Sequence, residues 1–192
     1  MRRLFLTLAI YLTALVGYAQ QTKITNVGQH IGVITLTDDT VIEGNLVIDF
    51  EQHTILFQQE HKNRLLPFSM ITTLAMYDCK THVRREFIGL NQNDLYEVVL
   101  SGDLSLLRYY RQNAQAFDAQ KAEVRYFLYE TQQEILVDAT ELAKKLGNIF
   151  LENTTLIKSI IKSKKYDLTN IQHIASLVRY QNQCRAKSIA TR

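Results

Sequence analysis

From His30 to about Leu90, apolar and polar side chains alternate with period two, the pattern of half-buried β-strands. In Gly32-Val33-Ile34-Thr35-Leu36-Thr37 apolar and small residues alternate, and Asp38-Asp39-Thr40 follows as a turn. The next run sets Ile42, Leu46, Ile48 and Phe50 on one face with Gly44 among them, and a glycine there predicts a bulge or a sharp bend. Strands are expected again over 54–58, 64–68 and 71–77, and Pro67, the single proline, confines its stretch to an edge or a strand end. Short strands at such close spacing predict a small barrel.

A second β region from His82 to Val137 holds strands over 84–88, 95–100, 105–111, 125–129 and 134–137. The run Gly89-Leu90-Asn91-Gln92-Asn93-Asp94 is the best break between the two regions, and 112–122 reads as a long loop or a short helix. After residue 138 the period becomes helical. Leu142, Leu146, Ile149 and Phe150 form one stripe, with Asp138 and Glu141 placed for a capping box. Leu156, Ile157, Ile160 and Ile161 form a second, with Lys158, Lys162, Lys164 and Lys165 mostly off it. Ile171, Ile174, Leu177 and Val178 form a third, entered through Thr169-Asn170-Ile171-Gln172, another capping box. Short amphipathic helices need a surface to lie on, and the β region supplies one. The fold class expected is therefore α+β: a small SH3-like or Sm-like β-barrel, a continuing antiparallel sheet and a C-terminal cluster of short helices.

The amino terminus adds a destination. Arg2 and Arg3 precede an apolar run from Leu4 to Val16, and Gly17-Tyr18-Ala19 sets small residues where a signal peptidase cuts. The run is too short to span a bilayer, and Gln20 rather than a cysteine follows the cut, so export without a lipid anchor is expected, to the periplasm or beyond the cell. The organisation expected is a signal peptide over 1–19, a barrel-like segment over 20–90, a second antiparallel segment over 91–138 and a basic helical segment over 139–192 packed on the sheet.

Charge matters through its distribution. The mature chain carries 20 basic and 19 acidic side chains, but residues 20–138 hold 10 basic against 16 acidic and residues 139–192 hold 10 basic against 3 acidic. The basic segment either docks on the acidic one or offers a basic surface to an anionic partner.

The stretch Val33-x-x-Leu36-x-Asp38-Asp39-x-Val41-x-x-Gly44-x-Leu46-x-x-Asp49-Phe50, followed by Ile55-x-Phe57 and Phe68-Ser69-x-Ile71-x-x-Leu74, resembles the Sm-like barrel pattern. There a turn leads into a strongly bent strand with a central glycine, and a serine-isoleucine step opens the last strand. The resemblance spans about a quarter of the chain and implies barrel geometry. Bacterial Sm-like proteins read RNA partly through a basic and aromatic step before that serine; here Leu66, Pro67 and Phe68 stand there, so nucleic acid is not expected. Assembly into a homo-oligomer through open barrel edges remains an alternative. The arrangement as a whole, with its Ala19-Gln20 signal end and a Tyr96 to Arg108 step in the second β segment, resembles small exported proteins of the Bacteroidota type, which implies export and no particular activity.

Chemistry-bearing motifs are sparse. Cys79-x-x-His82 has the spacing of half a zinc site but no second pair accompanies it, and His30, His53, His61 and His173 fit no ligand set. On one strand, residues three apart point to opposite faces, so Cys79 and His82 meet as thiol and base only if the chain turns between them. Cys79 and Cys184 are permitted a disulfide by an oxidising compartment, while nothing in the sequence brings them together. Asp38-Asp39 is explained by turn chemistry, and no glycine-rich phosphate loop occurs. No catalytic residue, cofactor or metal is expected. The contact residues expected are Lys158, Lys162, Lys164 and Lys165 for an anionic surface, and Tyr109 and Tyr126 on a tyrosine-bearing sheet. The function expected is an exported, non-enzymatic module that binds an envelope protein or an anionic envelope surface, the alternative being an enzyme with an unfamiliar site.

Overall fold

The computed structural model describes residues 30–59, 62–79, 81–91, 93–111, 123–150 and 153–190. The signal peptide and the 112–122 connection lie outside the described residues. Ten strands form, and each falls within a few residues of its expected place: β1 (His30–Leu36), β2 (Val41–Asp49), β3 (Thr54–Gln59), β4 (Lys62–Pro67), β5 (Ile71–Asp78), β6 (Val83–Asn91), β7 (Asp94–Leu100), β8 (Leu104–Arg111), β9 (Glu123–Glu130) and β10 (Ile135–Asp138). They make one antiparallel sheet in the order β10-β9-β8-β7-β6-β5-β1-β2-β3-β4.

This corrects the expected closed barrel: the sheet is open, with β4 and β10 as its edges. It also runs through the expected break, since β6 carries the ladder across Gly89 with a register shift before Asn91. The first half curls without closing. Phe50, just past β2, packs against Phe68, Phe87 and Tyr110, the last with ring centroids 4.9 Å apart. His53 Nδ1 meets the Asn93 carbonyl at 2.6 Å, tying the β2–β3 turn to the β6–β7 turn. Gly44 does not bend its strand through a bulge. It stays in regular register, and its missing side chain admits the Phe57 ring and the Gln58 carbonyl, which a Cβ would meet at 2.9 and 2.5 Å.

Three helices follow a short 3-10 turn (Ala139–Glu141): α1 (Leu142–Phe150), α2 (Thr154–Lys164) and α3 (Ile171–Ala190). The first capping box is half made. Asp138 accepts from the Thr140 amide at 2.8 Å, but Glu141 pairs with Lys145 instead of reaching back. At the third helix the cap is Asn170, accepting from Gln172 N at 2.9 Å, while the Thr169 hydroxyl is held by Asp167.

Two cores lie on one face of this sheet. The first gathers Ile34, Leu46, Ile55, Phe57, Phe68, Leu74, Met76, Phe87, Leu95 and Tyr110. The second joins Leu104, Leu106, Leu128 and Val137 to the helices through Leu142, Ile149, Phe150, Ile157, Ile174, Leu177 and Val178. The helices are anchored by polar groups as well. Asn182 of α3 accepts from the Leu104 amide at 3.0 Å and donates to the Leu104 carbonyl at 2.9 Å, and Arg185 pairs with the fully buried Glu130 at 2.7 Å. No helix among the described residues is long and apolar enough to cross a membrane.

Candidate functional site

A belt of ionisable side chains crosses the inner face of five neighbouring strands, and on β8 it separates the two cores. His30 of β1 lies 3.6 Å from Asp78 of β5, which lies 3.5 Å from Arg85 of β6. Arg85 pairs with Glu97 of β7 at 2.9 Å, and Glu97 pairs with Arg108 of β8 at 3.2 Å. The Tyr110 hydroxyl donates to Glu97 and receives Arg85 and Arg108 at 3.4 and 3.3 Å. Burial, then the neighbouring Glu97 carboxylate, push the Tyr110 phenol up to about 12. Burial works against the charge of Arg108, but hydrogen bonding to Tyr110 and the field of Glu97 outweigh it. With two acids and two arginines in contact, each of these charges has an opposite charge beside it.

The expected contact residues do not come together. Tyr109 and Tyr126 are neighbours by one strand pair yet point to opposite faces, because side chains alternate along β8 and β9. Tyr109 joins Tyr96 and Phe127 on the outer face, with ring centroids 5.4 and 6.3 Å away. Tyr126 faces inward, with the Arg108 guanidinium 5.6 Å from its ring. The four lysines share the exposed side of α2 and its end. Ile157 is fully buried and Ile160 and Ile161 pack on the second core, whereas Lys158, Lys162, Lys164 and Lys165 are exposed and form no ion pair among the described residues. Leu156, expected on the apolar stripe, is instead 44% exposed. Lys164 reaches over the Tyr166 ring at 5.9 Å, and that ring stacks on His173 of α3 at 4.8 Å.

Between the sheet and the start of α3, beside the connection that leads from α2 to α3, lies a partly open cleft of about 220 Å³. Val124 and Tyr126 of β9 form its floor, Ala139 and Thr140 one wall, and Leu168, Thr169, Ile171 and Ile174 the other, with the Arg125–Asp138 pair at its rim. Partial burial opposes ionisation of Asp138, but hydrogen bonds from Thr140 and the Arg125 guanidinium together hold its carboxyl below the usual carboxylate range. The cleft was invisible in the sequence, because its floor and its α3-side wall come from residues more than forty positions apart and Leu168 sits in a connection with no periodicity.

At the β5–β6 turn, Cys79 Sγ is 3.9 Å from the Tyr77 carbonyl, while His82 Nδ1 is 3.1 Å from the Tyr77 hydroxyl, so each of the two engages Tyr77. Cys79 and Cys184 are both free thiols. No group of three or more metal-ligating side chains occurs among the described residues. No protein-family model, curated protein or solved structure matches the chain.

Proposed function

We propose that this chain is an exported, non-catalytic binding module of the cell envelope that docks on an anionic envelope surface through the lysine side of α2. One observation carries the reading: the core takes the apolar side of α2 and leaves four lysines exposed, with no carboxylate paired to them among the described residues. Asp167, the one acid over 153–187, is engaged with Thr169. Lys158, Lys162 and Lys165 repeat at helical spacing, so one surface meets all three. The signal-like leader supports this reading, since export would bring such a surface to anionic envelope components.

The test is flotation of the mature protein on vesicles with and without anionic lipid. Each basic side chain near an anionic surface contributes about 1 kcal/mol. The triple change K158E/K162E/K165E is expected to lower binding to anionic vesicles at least about a hundredfold at low salt. Equal flotation of the parent protein on neutral vesicles contradicts the reading. A second reading, self-assembly through strand edges, is favoured by β4, an edge strand whose Leu65 is 65% exposed. Sedimentation of the parent protein as a monomer at all concentrations removes it.

A further inference from the structure

We propose that the cleft between β9 and the start of α3 takes the chain of a monomeric single-chain anionic amphiphile, with its headgroup at Lys164 and Lys165. The headgroup half rests on reading the α2 lysines as an anion-binding side; the chain half rests on the cleft alone. Val124, Tyr126, Ala139, Leu168, Ile171 and Ile174 give the cleft an apolar lining. Its polar rim is already self-satisfied, since Asp138 is held by Arg125, the Thr140 amide and the Thr140 hydroxyl. An apolar chain therefore enters without stranding a charge.

The lysines stand at the same end. Lys165 closes α2 in the left-handed conformation, and Leu168, three residues on, already lines the cleft. Three residues span at most about 11 Å, within the reach of a lysine side chain and a headgroup. Lys164 is held toward α3 by the Tyr166 ring, which stacks on His173. Charge complementarity thus favours an anionic head over a neutral or cationic one.

Size limits the chain. A benzene ring occupies a cavity of about 150 Å³, so about 220 Å³ holds roughly nine carbons. Each buried methylene tightens binding about fourfold. Titration of the mature protein with hexanoate, octanoate, decanoate, dodecanoate and myristate, all below micelle-forming concentrations, should show affinity that climbs to decanoate and then levels. An affinity that climbs undiminished to myristate overturns the cleft as the site, as does the absence of saturable decanoate binding.

Leu168→Trp, and independently Thr169→Tyr, should fill the cleft and abolish decanoate binding while the far-ultraviolet spectrum and flotation on anionic vesicles persist. Decanoate binding unchanged in both folded variants overturns the proposal. K164E/K165E should weaken decanoate binding about five- to tenfold and leave decyl maltoside unaffected. Equal binding of decanoate and decyl maltoside overturns the headgroup half. Flotation that fails while decanoate still binds and levels at decanoate overturns the surface reading and supports the chain half.

Discussion

At the scale of single residues, the interior is set by what burial does to polar groups. The Tyr96 phenol is pushed up to about 12 by burial and by the nearby Asp94 carboxylate, and Tyr110 by burial and Glu97. A phenol whose folded value exceeds its ordinary 10.0 holds its proton more tightly in the folded state. Its contribution to stability is complete below the ordinary 10.0 and is lost as the pH rises from there through about 12. Ultraviolet titration is expected to show Tyr96 and Tyr110 ionising later than the exposed tyrosines, with denaturant stability falling over the same interval. Replacing Tyr110 with Phe should remove one late phenol. Simultaneous ionisation of every tyrosine near 10 contradicts this. At this scale the sequence was partly readable. Arg85, Glu97 and Arg108 interrupt the inward rows of their strands, but which of them meet depends on strand register, which period alone does not specify.

At the scale of elements, the docking of α3 depends on a side chain that imitates a neighbouring strand. Asn182 satisfies both backbone groups of Leu104, which is fully buried, and Gly102 makes room for it. A Cβ on Gly102, at φ +155, would stand 2.2 Å from the Asn182 amide nitrogen. Asn182→Ala leaves a buried amide and carbonyl unsatisfied, at about 1–3 kcal/mol each. Denaturant titration is accordingly expected to show a loss of about 2–4 kcal/mol, and a loss under about 0.5 kcal/mol, the range of ordinary surface changes, contradicts the clamp. Strands were legible because their period is two and turn residues such as Asp38-Asp39-Thr40 mark where one ends. Helix stripes were legible too. The clamp was not, since Asn182 lies 78 positions from its partner in a helix that gives no local reason for an asparagine.

At the scale of the whole molecule, the expected division into segments met a strand that serves both sides. On β8, Leu104 and Leu106 belong to the second core and Tyr110 to the first, with Arg108 between them in the belt. Neither core is complete without β8, so the described chain is expected to unfold in one transition, with calorimetric and van't Hoff enthalpies equal. Two resolved transitions contradict the sharing. The open sheet stands in place of the barrel for a related reason: β6 pairs with β7, and the ladder continues to β10 instead of closing on β4.

The strand order carries one further consequence, for time rather than for energy. Each strand sits beside its sequence neighbour except at a single seam, where β1 lies between β2 and β5. Most hairpins close a short loop, but the seam must close a loop that contains β2, β3 and β4, and chain entropy opposes it most. Ile34 and Leu74 face each other across it. Ile34→Val is expected to slow refolding by nearly its whole effect on stability and to leave the unfolding rate almost unchanged, a φ-value near one in stopped-flow chevrons. The seam between β1 and β5 then sets how soon the molecule exists, while the Asn182 clamp bears on how long it lasts.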